Sequence, residues 1–111
     1  MQLESRKLLQ DVVNALELLD QFAKGKRFED YERDPMLRAA VEREFEIVGE
    51  ALKQLANRDP ETAGQIPDLR RIVSFRNILI HGYAEVDNAV VWEALTTRVA
   101  PLRASVHLLL R

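Results

Sequence analysis

The chain has 111 residues, 47% hydrophobic and 31% charged, with four Gly and four Pro. That balance belongs to one ordered, helix-rich domain over residues 1–111 and excludes a disordered chain. The absence of cysteine removes disulfide frameworks, Cys-ligated zinc, iron–sulfur clusters and thiol nucleophiles together. A formal charge of -2 and a pI near 5.7 argue against gripping nucleic acid by bulk positive charge, so any such contact must be local.

Met1 to Gln10 carry Glu4, Arg6 and Lys7 without an apolar leader, and no apolar run reaches bilayer length. The expectation is a soluble cytoplasmic protein with no membrane partner. Leu8, Val12, Leu16, Leu19 and Phe22 recur at three-to-four residue spacing, which predicts a first helix over about 3–23, interrupted at Gly25. Residues 24–34 mix charges with Phe28 and Tyr31 and read as a loop pinned to the body by those two rings. Lys24, Lys26 and Arg27 form one local basic cluster, and Arg70, Arg71 and Arg76 another.

A second helix begins with Asp34 as N-cap and Pro35 at the first helical position, where the missing donor is not needed. Leu37, Val41, Phe45, Val48, Leu52 and Leu55 form its stripe to about residue 56; Glu42, Glu46 and Glu50 fall away from it and read as a solvated face. Pro60, Gly64 and Pro67 make 57–67 a connector, with a short extra helix begun by Asp59 and Pro60. A third helix starts near Pro67 and is apolar on more than one side through Leu69, Ile72, Val73, Phe75, Ile78, Leu79 and Ile80. Gly82 is expected to end it as a left-handed C′ residue, with His81 at the C-cap and Tyr83 packed back on Ile78. Asp87 caps a fourth helix over 88–110, with Val86 and Val91 as its hydrophobic staple and a kink at Pro101. Four apolar stripes and no credible strand predict an all-α, antiparallel four-helix bundle.

Metal and phosphate motifs are missing: there is no H-E-x-x-H, Walker loop, EF-hand or G-x-G-x-x-G pattern, and the two histidines, His81 and His107, are far apart. No metal or other cofactor is expected. What remains is the run Arg76-Asn77-Ile78-Leu79-Ile80-His81-Gly82-Tyr83, in which polar residues bracket three large apolar ones. On a continuous helix Arg76 and His81 lie about 140° apart, so one face cannot hold both squarely. Ending the helix at Gly82 would let the His81 ring swing toward Arg76 and Asn77. Such a group suits RNA cleavage by the neighbouring 2′-hydroxyl, in which histidine shifts protons and a guanidinium stabilises charge on the phosphoryl oxygens. One histidine supplies one proton-transfer group, and a two-fold homodimer would supply the second. The plainer reading is a histidine favoured by the helix dipole beside an ordinary glycine stop.

The R-x4-H-x-Y pattern of Arg76, His81 and Tyr83, with Asn77, resembles the motif of the HepT-like branch of the HEPN superfamily. Glu46 to Leu52 and Val91-Trp92-Glu93 also look like that family, so the resemblance covers nearly the whole chain. It implies a dimeric, metal-independent ribonuclease toxin with Arg76 and His81 as the catalytic pair and Asn77 and Tyr83 supporting the site or binding RNA. It further implies a minimal nucleotidyltransferase antitoxin that silences the toxin by attaching AMP to Tyr83. Two other functions fit the composition: a non-catalytic substrate-binding partner of a nucleotidyltransferase, and a structural helical adaptor.

Overall fold

The computed structural model describes residues 1–82 and 86–111, and no strand occurs among them. The helices are α1 (Leu3–Ala23), α2 (Phe28–Arg33), α3 (Pro35–Arg58), α4 (Pro60–Ala63), α5 (Leu69–His81), α6 (Asn88–Thr97) and α7 (Val99–Leu110). The all-α bundle of the sequence reading holds. Its four units are α1, α3, α5 and the broken rod α6–α7.

α1 and α3 pack along each other at the centre; α5 leans on α3, α7 on α1, and α2 touches both α3 and α6. The core follows the expected stripes: Leu9, Val12, Leu16 and Leu19 of α1 meet Val41, Val48, Leu52 and Leu55 of α3, all buried. Burying such side chains stabilises by roughly 1.5–3 kcal/mol each, which is why the stripe spacing decides the fold. Val91, Leu95, Val99 and Val106 close the far side.

The caps act as their residue types dictate. Asp34 accepts the backbone N–H groups of Met36 and Leu37 at 3.0 and 3.1 Å, with Pro35 behind it. Asp59 accepts from the Thr62 backbone at 3.2 Å, which starts α4 within the connector. Asp87 accepts from Ala89 at 2.8 Å. Asp59 does more than cap: its Oδ2 also accepts from the hydroxyls of Thr62 and Ser5, each at 2.7 Å. Ser5 is buried, so this bond satisfies a hydroxyl inside the packing and ties the start of α1 to the α3–α4 junction. These three donors, the Thr62 hydroxyl foremost, hold the Asp59 carboxyl below the ordinary carboxylate range.

Three expectations are corrected. Residues 28–33 are helical rather than loop, because Asp30 accepts the Arg27 backbone N–H at 2.8 Å and Tyr31 is fully buried against Trp92, ring centroids 5.7 Å apart. The fourth helix is broken at Arg98 rather than kinked. A proline ring collides with the carbonyl four residues before it, here Thr97. The Thr96 and Thr97 hydroxyls meanwhile turn back onto the Trp92 and Glu93 carbonyls at 2.9 and 2.7 Å. Gly82 has φ -100°, not a left-handed conformation, and His81 is the last helical residue. Glycine is needed there for space: a Cβ would stand 2.8 Å from the Ile78 carbonyl oxygen, to which the Gly82 N–H donates at 2.7 Å. The packing of Tyr83 on Ile78 lies outside the described residues.

Candidate active site

The site begins with a glycine inside α3. A mid-helix glycine costs about 1 kcal/mol relative to alanine, so its presence in a 24-residue helix needs a packing cause. The cause is α5: a Cβ on Gly49 would lie 2.2 Å from Arg76 Cβ and 2.6 Å from its Cγ. Gly49 is the notch in which the root of Arg76 sits. Phe45 and Phe75 meet edge to face one turn away, centroids 5.2 Å apart, and fix the same crossing.

Seated there, the Arg76 side chain is only 17% exposed, and its guanidinium is held at both ends. One terminal nitrogen, Nη1, donates to Asn77 Oδ1 at 2.8 Å, and the other, Nη2, lies 2.7 Å from Glu50 Oε2. The second contact is a close ion pair, and Arg76 Nε is buried without a hydrogen-bond partner. Each terminal nitrogen of Arg76 therefore keeps a second N–H, the fork that fits a phosphate.

Arg76 lines a groove of about 490 Å³ between α1, α3 and α5. Its basic residues are Lys7, Arg43, Arg58 and Arg76, and its acidic ones are Glu4, Asp11, Glu46 and Glu50. Lys7 pairs with Asp11 at 3.4 Å and Arg43 with Glu46 at 3.5 Å. The groove is charge-dense and close to neutral.

Among the sequence-derived candidates, Arg76 and Asn77 are together. His81 is exposed at the end of α5, and among the described residues no hydrogen bond links it to either of them. Tyr83 lies outside the described residues. The glutamates of α3 need correction: Glu42, Glu46 and Glu50 are all half-buried rather than a solvated face. Burial pushes the Glu42 carboxyl above its ordinary range, with Glu46 adding to the rise and Arg38 opposing it. Sequence reasoning missed Glu50 as the partner of Arg76; the glycine just before it was the available signal. No group of three or more His, Cys, Asp or Glu among the described residues is arranged to hold a metal ion, and no helix there is long and apolar enough to cross a membrane.

A second groove, of about 480 Å³, runs along the other side of α5 toward α6 and α7. It is mainly apolar, with Phe75, Ile78, Val90 and Leu102 along it and Arg70, Arg71 and Arg98 among its polar residues. Ile78 is 56% and Val90 51% exposed, and Leu79 is the one fully buried residue of α5 among those described. This helix carries more apolar surface than the described residues cover.

The comparisons with known proteins agree with one another. Residues 12–109 match the family described as ribonuclease HepT-like. A candidate RNase of Caldanaerobacter subterraneus subsp. tengcongensis is 33% identical over 106 residues, covering 96% of this chain and 94% of that protein. The probable ribonuclease HepT of Thermococcus cleftensis is 35% identical over 95 residues, 86% of each chain. A candidate RNase of Methanocaldococcus jannaschii is 29% identical over 100 residues, covering 90% and 91%. No solved structure matches. The chain therefore belongs to the ribonuclease HepT-like family and is, by that membership, a ribonuclease.

Proposed function

We propose that the chain is a metal-independent endoribonuclease toxin of a type VII-like HEPN/nucleotidyltransferase toxin–antitoxin pair, acting through Arg76 and His81 of the R-x4-H motif. The observation that carries this reading is the seating of Arg76: a largely buried side chain whose terminal nitrogens are held by Asn77 and Glu50 on a groove, in a chain of the ribonuclease HepT-like family. The 2′-hydroxyl attacks the adjacent phosphorus, its proton passes to a base, and the 5′-oxygen leaves with a proton from an acid. Arg76 stabilises the charge that builds on the phosphoryl oxygens, and Asn77 holds one end of its fork.

His81 carries the proton transfer. It sits about 7.5 Å further along the helix axis than Arg76 and well round from it, so the composite site is built from two chains. The uncovered apolar side of α5, Ile78 above all, is the surface on which a second copy would pack in a C2 homodimer. AMP attached to Tyr83 by a minimal nucleotidyltransferase antitoxin would add a phosphodiester charge to the motif and silence the enzyme. This modification rests on the family resemblance, and intact-mass measurement after co-expression tests it, with Tyr83→Phe as the control.

The test of the enzymatic reading is cleavage of total RNA in chelator by the purified protein, by His81→Ala and by Arg76→Lys. Loss of a proton-transfer group costs about 10²–10⁴-fold, and a point charge does not replace a bidentate fork. Undiminished cleavage in either variant refutes the assignment. The second reading, a non-catalytic binding partner of a nucleotidyltransferase, is favoured by the paired charges of the groove, and RNA or nucleotide binding without cleavage would establish it.

A further inference from the structure

Glu50 stands outside the R-x4-H motif and 26 residues before Arg76, yet it makes the closest charged contact that Arg76 has. An arginine side chain is long and loses about 2 kcal/mol of rotamer freedom when fixed. A guanidinium that must meet a developing phosphoryl charge needs that freedom removed beforehand, because misplacement by about 1 Å can cost 10²-fold in rate. Two neighbours remove it here, one at each terminal nitrogen. Asn77 is adjacent in sequence on the same helix, so its bond fixes the fork relative to α5 alone. Glu50 belongs to α3, so it alone references the fork to the rest of the groove.

We propose that Glu50 is the positioning residue of this active site: its carboxylate, set by the Gly49 notch against the root of Arg76, aims the guanidinium while leaving donors free for phosphate. The inference rests on the reading of Arg76 as the catalytic arginine. The contact suits this role because it occupies one N–H of Nη2 as Asn77 occupies one of Nη1, so the fork is held from two sides while each terminal nitrogen keeps a second N–H for phosphate. Glu50 also sets the local charge, since its carboxylate cancels most of the attraction Arg76 would otherwise exert on any polyanion.

Two substitutions separate aim from charge. Glu50→Ala removes both, and kcat for RNA cleavage falls at least about tenfold. Glu50→Gln keeps an oxygen acceptor at the same reach but removes the charge, so kcat returns to within about threefold of the native enzyme while KM falls. Glu50 is 44% exposed, so thermal unfolding of the Gln variant should match the native protein. Binding of a fluorescent 2′-O-methylated RNA 20-mer of mixed sequence supplies a readout free of turnover. Glu50→Gln tightens it severalfold, and in an Arg76→Ala background Glu50→Ala lowers the residual single-turnover cleavage rate no further, the coupling expected when one residue acts through the other. Native kcat in Glu50→Ala, a Gln variant as impaired as Ala, or an undiminished Glu50 effect without Arg76 would each overturn the proposal. Full cleavage by Arg76→Ala alone would instead remove the reading on which it rests, whatever Glu50 does.

Discussion

Replacing Gly49 by alanine adds one methyl group where α3 and α5 touch. The new Cβ would stand 2.2 Å from Arg76 Cβ, 1.2 Å inside the 3.4 Å of ordinary contact. Both atoms are fixed by their backbones, so no side-chain rotation relieves the clash and α5 must move off α3. Forcing an extra methylene into packed structure costs about 1–3 kcal/mol, and the better helix propensity of alanine returns about 1 kcal/mol. The net loss is up to about 2 kcal/mol, a fall of up to roughly 10 °C in Tm. The same displacement carries Arg76 about 1 Å from its place, enough for a loss of about 10²-fold in RNA cleavage. Differential scanning calorimetry and a single-turnover cleavage assay read the two effects. An alanine variant that is more stable than the native protein and cleaves at the native rate would refute the reasoning, since only the propensity gain would then have been felt.

Tyr31 is fully buried with a hydroxyl that has no hydrogen-bond partner, and burial pushes its ionisation far above the ordinary range, the nearby Glu42 adding to it. Tyr31→Phe should therefore raise the unfolding free energy by about 1 kcal/mol in urea titration, and a loss of that size would show that the hydroxyl is satisfied. For Asp59 the folded pKa is depressed, so its stabilising contribution is present above the ordinary value of 3.8 and disappears as pH falls through the lower folded value. Asp59→Asn should thus show a flatter loss of stability than the native protein below about pH 4, and parallel acid limbs would contradict the Ser5–Asp59–Thr62 arrangement. Ile78→Asp, at a 56% exposed position, should leave the fold intact but convert a dimer to a monomer in sedimentation; a native protein that is monomeric at micromolar concentration would end the composite-site argument.

What could be read from the sequence was whatever depends on near neighbours. The stripe through Val41, Phe45, Val48, Leu52 and Leu55 set α3, and Asp34-Pro35, Asp59-Pro60 and Asp87 placed three helix starts, because a cap joins atoms two or three residues apart. α2 escaped because its six residues owe their helicity to Tyr31 packing on Trp92, 61 positions away. Gly82 was read as a stop for the right residue and the wrong reason, since steric access to Ile78 and positive φ both select glycine. Arg76 and Asn77 were recognisable by motif. Their partner was hidden, because a glutamate on a helix face shows in the sequence only its distance from the apolar stripe. Only the adjacent Gly49 distinguishes Glu50, which meets Arg76, from Glu46, which pairs with Arg43 on its own helix.

The self-paired groove has a thermodynamic consequence. A protein that meets a polyanion with bare lysines and arginines drives the release of condensed counterions, and its affinity collapses as salt rises. Here Lys7, Arg43 and Arg76 already face Asp11, Glu46 and Glu50. An RNA strand laid in this groove displaces carboxylates, and these collect cations from solution as the phosphates shed theirs. The net ion traffic would be small, so association is expected to show a shallow salt dependence and little indiscriminate pull on the cell's nucleic acids. Under these conditions the choice among RNAs falls to shape, to the strand whose phosphate reaches the one guanidinium sunk in the notch of α3.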